Sequence, residues 1–238
     1  MFQWLEKEDP DFICFQEVRA QIEDMKLDAF WPEGYFCHHE VAEKKGYSGT
    51  ALFSKLEPTE VIRGLGVDEF DIEGRYIECH FNDFVIASAY FPSGSSGDKR
   101  QEAKYRFLDI FRKKLDSMNE KKISYLFCGD VNIVHKEIDI TNWKANQKNS
   151  GCLPEERAWL DEIFNTLRCI DGFRAVNTES EQYTWWSNRG NAWANNVGWR
   201  IDYQIFNNHF GYKVRSASIY KDERFSDHAP LIIEYEHT

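Results

Sequence analysis

Eight short apolar runs, separated by turn-forming residues, set the limits on what this chain can fold into. They cover residues 12–16, 50–54, 75–80, 84–91, 123–128, 201–206, 213–219 and 231–235. Several place apolar side chains at consecutive positions, as in Ile123-Ser-Tyr-Leu-Phe-Cys128. A run of that kind suits a strand covered on both faces, whereas a half-solvated strand alternates. Helical spacing is confined to two longer segments. Over residues 101–118, Phe107, Leu108, Phe111, Leu115 and Met118 recur at intervals of three and four, with Lys104, Arg112, Lys113 and Lys114 assigned to the opposite face. Over 155–167, Trp159, Leu160, Ile163, Phe164 and Leu167 repeat the pattern, and Pro154, Glu155 and Glu156 suit a helix start. A short helix is expected at 2–8, stopping before Asp9-Pro10. Strands with fewer helices predict an α/β (α+β) sandwich, two sheets packed together with helices outside.

No repeat or low-complexity linker divides the 238 residues, so the expectation is one domain spanning the chain. The aromatic share of 16% suits a sheet-rich core. The six cysteines form no C-x-x-C pair, which argues against a structural zinc cluster and for free thiols in a reducing cytoplasm. The sequence shows no basic-apolar leader and no membrane-length apolar stretch. A net charge of −11 excludes nucleic-acid binding through bulk charge, but not through a local basic patch or a bridging cation.

The acids stand at particular places. Glu17 follows the first run; Asp130, with Asn132 two residues on, follows the fifth; Asp202 lies within Trp199-Arg-Ile-Asp-Tyr-Gln-Ile-Phe206; Asp227 and His228 precede the last run. A carboxylate at the end of an apolar strand is costly to desolvate unless it meets a cation or a donor. Any one of them is commonly a solvated strand end or a turn. Together they point to strand ends converging on a cation-binding cleft, and to metal-assisted phosphoryl transfer. One carboxylate would activate water, and a histidine held by an aspartate would donate to a phosphate oxygen.

The motifs Phe15-Gln-Glu-Val18, Gly46-Tyr-Ser-Gly-Thr50, Ala89-Tyr-Phe-Pro92, Cys128-Gly-Asp-Val-Asn-Ile-Val-His135, Asn196-Val-Gly-Trp-Arg-Ile-Asp-Tyr203 and Ser226-Asp-His-Ala-Pro230 run through nearly the whole chain. In them the sequence resembles the exonuclease III-type apurinic/apyrimidinic endonucleases of the endonuclease/exonuclease/phosphatase superfamily. The resemblance implies a four-layer sandwich of two mixed sheets flanked by helices, and a Mg²⁺-dependent DNA-repair hydrolase, with Mn²⁺ as a substitute. It would act on duplex DNA at abasic sites or 3′ ends as a cytoplasmic monomer. It further implies Glu17 as metal ligand and Asp227 as a direct or outer metal ligand. Asp130 would be the water-activating residue and Asn132 its orienting partner. Tyr90 would contact the scissile phosphate, and His228 a phosphate oxygen with its ring fixed by Asp202. DNA contacts fall to Asn146 and Asn149 and, with a shorter reach than the family's usual amide, Ser93. Trp185 and Trp199 would line a pocket for an extrahelical abasic sugar, although core packing is an equal reading for both. Lys99, Arg100, Lys144, Lys148, Arg174, Arg189 and Arg200 are candidates for a basic rim.

The family opens with a strand of the form Ser-x-Asn-x-Asn-Gly-x-Arg, and this chain begins at Met1-Phe2-Gln3-Trp4, inside the helix that should follow it. The resemblance therefore implies a missing first strand and weaker metal binding. It leaves open another phosphodiesterase or phosphatase of the superfamily, or a non-catalytic DNA-binding relative.

Overall fold

The computed structural model describes residues 1–237. They fall into two compact units. The first comprises Met1–Tyr90 with Tyr125–Gly129, and the second comprises Phe91–Ser124 with the residues from Asp130 onward.

The first unit opens with helix α1 (Phe2–Glu8), which stops where Asp9 turns left-handed at φ 47° ahead of Pro10. Strands β1 (Phe12–Gln16), β2 (Phe36–Glu40) and β3 (Thr50–Ser54) form a sheet of order β1-β3-β2, both neighbours antiparallel to β3. A second sheet takes β4 (Glu60–Arg63), then, after the one-turn helix α2 (Asp68–Asp71), β5 (Tyr76–His80), β6 (Val85–Tyr90) and β7 (Tyr125–Asp130), in the order β4-β5-β6-β7. The two sheets face each other, with β1 and β3 against β5 and β6. All five residues of β3 are buried, as are Ile77, Cys79, Ile86 and Ala87 opposite. Large side chains buried this way contribute roughly 1.5–3 kcal/mol each. The sheets are also pinned by hydrogen bonds: Gln16 Nε2 donates to Ser88 Oγ at 2.9 Å, and Ser88 Oγ donates to the Phe15 carbonyl at 2.9 Å. The face-to-face sheets expected from the continuous apolar runs are thus present. Strands β2 and β4 were not anticipated, because Phe-Cys-His-His-Glu and Glu-Val-Ile-Arg carry too few apolar residues to stand out.

The second unit is built on helix α3 (Asp98–Glu120). Its face of Phe107, Leu108, Phe111, Leu115 and Met118 is buried as its spacing predicts. Phe107 and Phe111 pack on Phe91 with ring centroids 4.8 and 4.7 Å away, and Trp159 lies 5.7 Å from Phe91 and donates Nε1 to the Leu108 carbonyl at 2.9 Å. Lys104 departs from the expected polar face: it is wholly buried. After the short helix α4 (Trp143–Asn146), helix α5 (Pro154–Asp161) continues as a π-helical turn over Glu162–Thr166, which together fill the span expected as one helix. Short antiparallel pairs complete the unit. They are β8 (Ile170–Asp171) with β11 (Asp202–Phe206), β9 (Trp185–Trp186) with β10 (Gly198–Trp199), and β12 (Tyr212–Ile219) with β13 (Leu231–His237). Among the described residues no helix is long and apolar enough to cross a membrane.

Candidate active site

Within the second unit, three backbone links bring the carboxylates together. The chain leaves β7 at Asp130, and the Val131 amide donates to the Ile201 carbonyl at 2.9 Å, which sets Asp130 beside the start of β11. Thr184 Oγ1 accepts from the amides of Ile201 and Asp202, each at 3.1 Å. The Ala229 amide donates to the Thr184 carbonyl at 2.8 Å, and Trp185 forms an isolated bridge with His228. Thr184 therefore ties the Asp202 strand to the Ser226-Asp-His-Ala-Pro230 segment, a role its sequence context did not signal.

Asp130 is buried, and Asn132 holds both of its oxygens. The Asn132 amide donates to Oδ1 at 3.0 Å and its side-chain Nδ2 to Oδ2 at 3.1 Å. Nδ2 also donates to the Phe91 carbonyl at 3.1 Å. This needs the left-handed backbone of Asn132 at φ 56°, a region asparagine enters more readily than most residues. His228 stands opposite. Its Nδ1 lies 3.1 and 3.0 Å from the two oxygens of Asp202, and its Nε2 lies 4.0 Å from Asp130 Oδ2. Burial alone would push this imidazole down, but Asp202 overrides it, with help from Asp130 and Asp227, and the pKa rises to about 10. His228 is then an imidazolium at neutral pH, with Nδ1–H committed to Asp202 and Nε2–H aimed at the site.

Asp130, Asp202 and His228 each offer one ligand atom within 4.8 Å of the others. The carboxylates are suitable donors for a hard divalent cation. Nδ1 of His228 is taken up by Asp202, which leaves Nε2 as the ring atom facing Asp130. Asp227 is the remaining acid of this unit's site. Its Oδ2 accepts from Trp185 Nε1 at 3.2 Å, and its carbonyl accepts from the Trp186 amide at 3.0 Å. Trp185 and Trp199 stand edge to face at 6.0 Å and 86°, half-buried against Val134, Ile140, Cys152 and Ile201. Both rings are packed against this cluster and remain partly exposed.

The other expected contacts vary. Asn146 Nδ2 donates to the carbonyls of Thr141 and Asn142, at 3.2 and 3.1 Å, and Asn149 Nδ2 donates to Asn146 Oδ1 at 2.8 Å, so both amides currently brace their own loop. Ser93 Oγ lies 2.9 Å from Ser95 Oγ. Arg189 is exposed, as are Lys99, Lys144 and Lys148. Arg200 and Arg174 are not rim charges. Arg200 is wholly buried, with Nε 2.7 Å from Asp139 Oδ1 and Nη2 2.7 Å from Asp171 Oδ2, and Arg174 Nη2 lies 2.6 Å from the same Asp139 oxygen. Their partners lie 29 to 61 residues away, beyond the reach of local pattern.

In the first unit, Glu17 follows β1 with a left-handed backbone at φ 56° and pairs with the exposed Arg19. Tyr90 ends β6. The guanidinium of buried Arg75 lies 4.8 Å from its ring centroid and donates Nη1 to its carbonyl at 3.0 Å. Arg75 is held in turn by Glu73 at 2.5 Å and Tyr47 OH at 3.2 Å, three supporting residues that the sequence reading missed. Gly129 precedes Asp130 because a Cβ there would lie 2.6 Å from the Ala89 carbonyl oxygen.

The class these residues define is that of metal-assisted phosphoryl-transfer enzymes, and comparison with known proteins agrees. The Endonuclease/Exonuclease/phosphatase family matches residues 1–228, and the chain belongs to that family. It is 39% identical over 229 residues to an exodeoxyribonuclease of Bacillus subtilis (strain 168), covering 96% of this chain and 89% of the relative. It is 35% identical over 235 residues to the DNA repair nuclease APEX1 of Danio rerio, covering 97% and 74%. Among solved structures, a 3′-5′ exonuclease from Neisseria meningitidis superposes with a TM-score of 0.87 at 23% identity, over 98% of this chain and 92% of that one. An AP endonuclease from Archaeoglobus fulgidus gives 0.85 at 21%, over 99% and 93%. The fold of this chain is theirs, as the α/β sandwich expectation required.

Proposed function

We propose that the chain is a Mg²⁺-dependent DNA-repair phosphodiesterase. It cuts duplex DNA 5′ to abasic sites, trims 3′ ends, or does both. The observation that carries this reading is the opposition of two prepared groups: Asp130 with both oxygens oriented by Asn132, and His228 charged by Asp202. Asp130 accepts a proton from the attacking water. His228 Nε2–H donates to a non-bridging phosphate oxygen where charge builds. Tyr90 adds a hydrogen bond to the same phosphate. Glu17 is the proposed metal carboxylate, with Asp227 a direct or outer ligand, and a bound Mg²⁺ would supply polarisation of the phosphodiester and stabilisation of the leaving oxygen. Trp185 and Trp199 wall a space for a base-free sugar. Ser93, Asn146, Asn149 and Arg189 lie along the DNA path, the asparagines exchanging their internal hydrogen bonds for phosphate. With a net charge of −11, affinity is local and falls steeply with salt. The enzyme works as one monomeric catalytic domain in a reducing cytoplasm, a setting supported by its six free thiols.

The test is a fluorescent duplex bearing one tetrahydrofuran abasic mimic, incubated with Mg²⁺ or with EDTA. Metal-dependent nicking is expected from the wild type and none from Asp130→Ala, which still binds the duplex. Full nicking by Asp130→Ala would overturn the assignment. A folded wild type that binds but never cuts would leave a non-catalytic relative in its place.

A further inference from the structure

Lys104 and Glu156 are both wholly buried, and together they touch the backbone on two sides of the candidate site. Lys104, on α3, donates Nζ to Glu156 Oε1 at 2.5 Å and to the Asn132 carbonyl at 2.8 Å. Asn132 is the residue that turns left-handed to hold Asp130, so its carbonyl faces Lys104 while its amide and side chain face the carboxylate. Glu156, in the first turn of α5, uses its other oxygen on the loop. Oε2 accepts from the amides of Gly151 at 2.6 Å and Leu153 at 3.0 Å, and Oε1 also accepts from Gln101 Nε2 at 3.1 Å.

Gly151 is itself wedged into the site. A Cβ on it would lie 3.0 Å from the Asn132 carbonyl oxygen and 3.0 Å from the Trp199 ring. Its carbonyl accepts from the Val134 amide at 2.7 Å, and the Cys152 amide reaches the Asn149 carbonyl at 2.9 Å. The Asp130–Asn132 turn and the Asn146–Asn149 loop are therefore within a few hydrogen bonds of a single ion pair, and the Trp199 ring lies close against Gly151 between them. A buried pair of this kind is weak evidence for stability, since apolar residues of the same volume often do as well. What an apolar replacement cannot do is fix a carbonyl and two amides at once.

We infer that Lys104 and Glu156 are positioning residues, with Lys104 setting the catalytic turn through the Asn132 carbonyl and Glu156 setting the DNA-side loop through Gly151 and Leu153. The inference deepens the phosphodiesterase reading and rests on it for its kinetic consequence.

The test compares Lys104→Met, Lys104→Arg, Glu156→Gln and Glu156→Asp with the wild type on the abasic duplex, alongside amide hydrogen exchange. Lys104→Met is expected to lower kcat by roughly 10- to 100-fold, the scale of a small misplacement of reacting groups, with little change in KM. Glu156→Gln is expected to raise KM as well. Lys104→Arg should recover most of the lost kcat, a rescue that a purely volumetric role would not give. In Lys104→Met the Asn132, Val134 and Gly151 amides should exchange faster while those of α3 keep their protection. Wild-type kcat in folded Lys104→Met, or equal activity in the Met and Arg variants, would overturn the inference. Should Lys104→Met fail to fold, Glu156→Asp, which keeps the charge and shortens the reach, must lose kcat, and wild-type kcat there overturns the inference equally. If the wild type does not cut at all, the functional reading falls alone. Exchange then decides: selective loss of protection supports the positioning role, and unchanged protection refutes it.

Discussion

Asn132 grips Asp130 twice, through its backbone amide to Oδ1 at 3.0 Å and its side-chain Nδ2 to Oδ2 at 3.1 Å. The two bonds can be separated. Asn132→Gly keeps the amide and suits φ 56°, whereas Asn132→Ala keeps the amide but must hold an unfavourable left-handed backbone, at about 1–2 kcal/mol. Both variants should lose kcat by about 100-fold, and Asn132→Gly should unfold at higher urea than Asn132→Ala. Nicking assays with urea melts read both. Equal activity in the wild type and Asn132→Gly would show that the side chain is dispensable.

His228 depends on Asp202 for its charge and its tautomer. Asp202→Asn preserves shape and removes the charge, so Nδ1–H loses its strong acceptor. The expected result is a fall in kcat of roughly 10²–10⁴-fold at pH 7.5 with DNA affinity in EDTA nearly unchanged. A variant with normal kcat would remove His228 from the reaction.

Those four residues were legible because several acids stand beside apolar runs together and the motifs around them resemble one family, and β1 and β3 were placed to the residue. Boundaries slipped where polar residues extend a strand, as at β13, which runs to His237. Strand β2 stayed hidden because Phe36-Cys-His-His-Glu40 carries too few apolar residues to stand out. In the fold, the His39 ring packs 4.7 Å from Trp31 and 5.1 Å from Phe53. Lys104 and Arg200 were misread for one reason: local sequence assigns a charge to solvent, and only a partner tens of residues away, Glu156 or Asp139, makes its burial tolerable.

Trp185 Nε1 donates to Asp227 Oδ2 at 3.2 Å, which orients a proposed metal carboxylate. Trp185→Phe keeps a ring against Trp199 and deletes the donor. The Mg²⁺ concentration for half-maximal rate should rise about tenfold or more, the usual effect of removing a ligand's supporting hydrogen bond. A rate titration against Mg²⁺ measures it. An unchanged midpoint would count against Asp227 as a ligand.

His39 gives the stability a pH dependence. Burial between rings presses its pKa down, and His38 and Arg63 add to this. The folded state therefore binds fewer protons than the unfolded state once pH falls below the ordinary histidine value of about 6.5. The contribution of His39 is level above that value and declines as pH drops from about 6.5 towards 5. His39→Phe should flatten the decline, as read by urea midpoints at pH 7.5 and 5.5. A parallel decline in the variant would assign the effect elsewhere.

Asp139 holds two guanidiniums, Arg200 through Nε at 2.7 Å and Nη2 at 3.2 Å, and Arg174 through Nε at 3.0 Å and Nη2 at 2.6 Å. Desolvation pushes its carboxyl up, but the attraction and hydrogen bonds of Arg200 and Arg174 outweigh that and hold it below the ordinary aspartate value. Removing one member of a buried pair leaves the other charged and unpaired, at about 3–5 kcal/mol. Asp139→Ala should therefore unfold the chain at much lower urea, Arg200→Ala should do nearly as much damage by stranding Asp139 and Asp171, and Arg174→Ala, nearer the surface, should cost less. If Arg200 acted on DNA as a rim charge, Arg200→Ala would instead weaken duplex affinity with an unchanged urea midpoint. Measuring both quantities on the same variant separates the two, and the burial of Arg200 requires that the midpoint move.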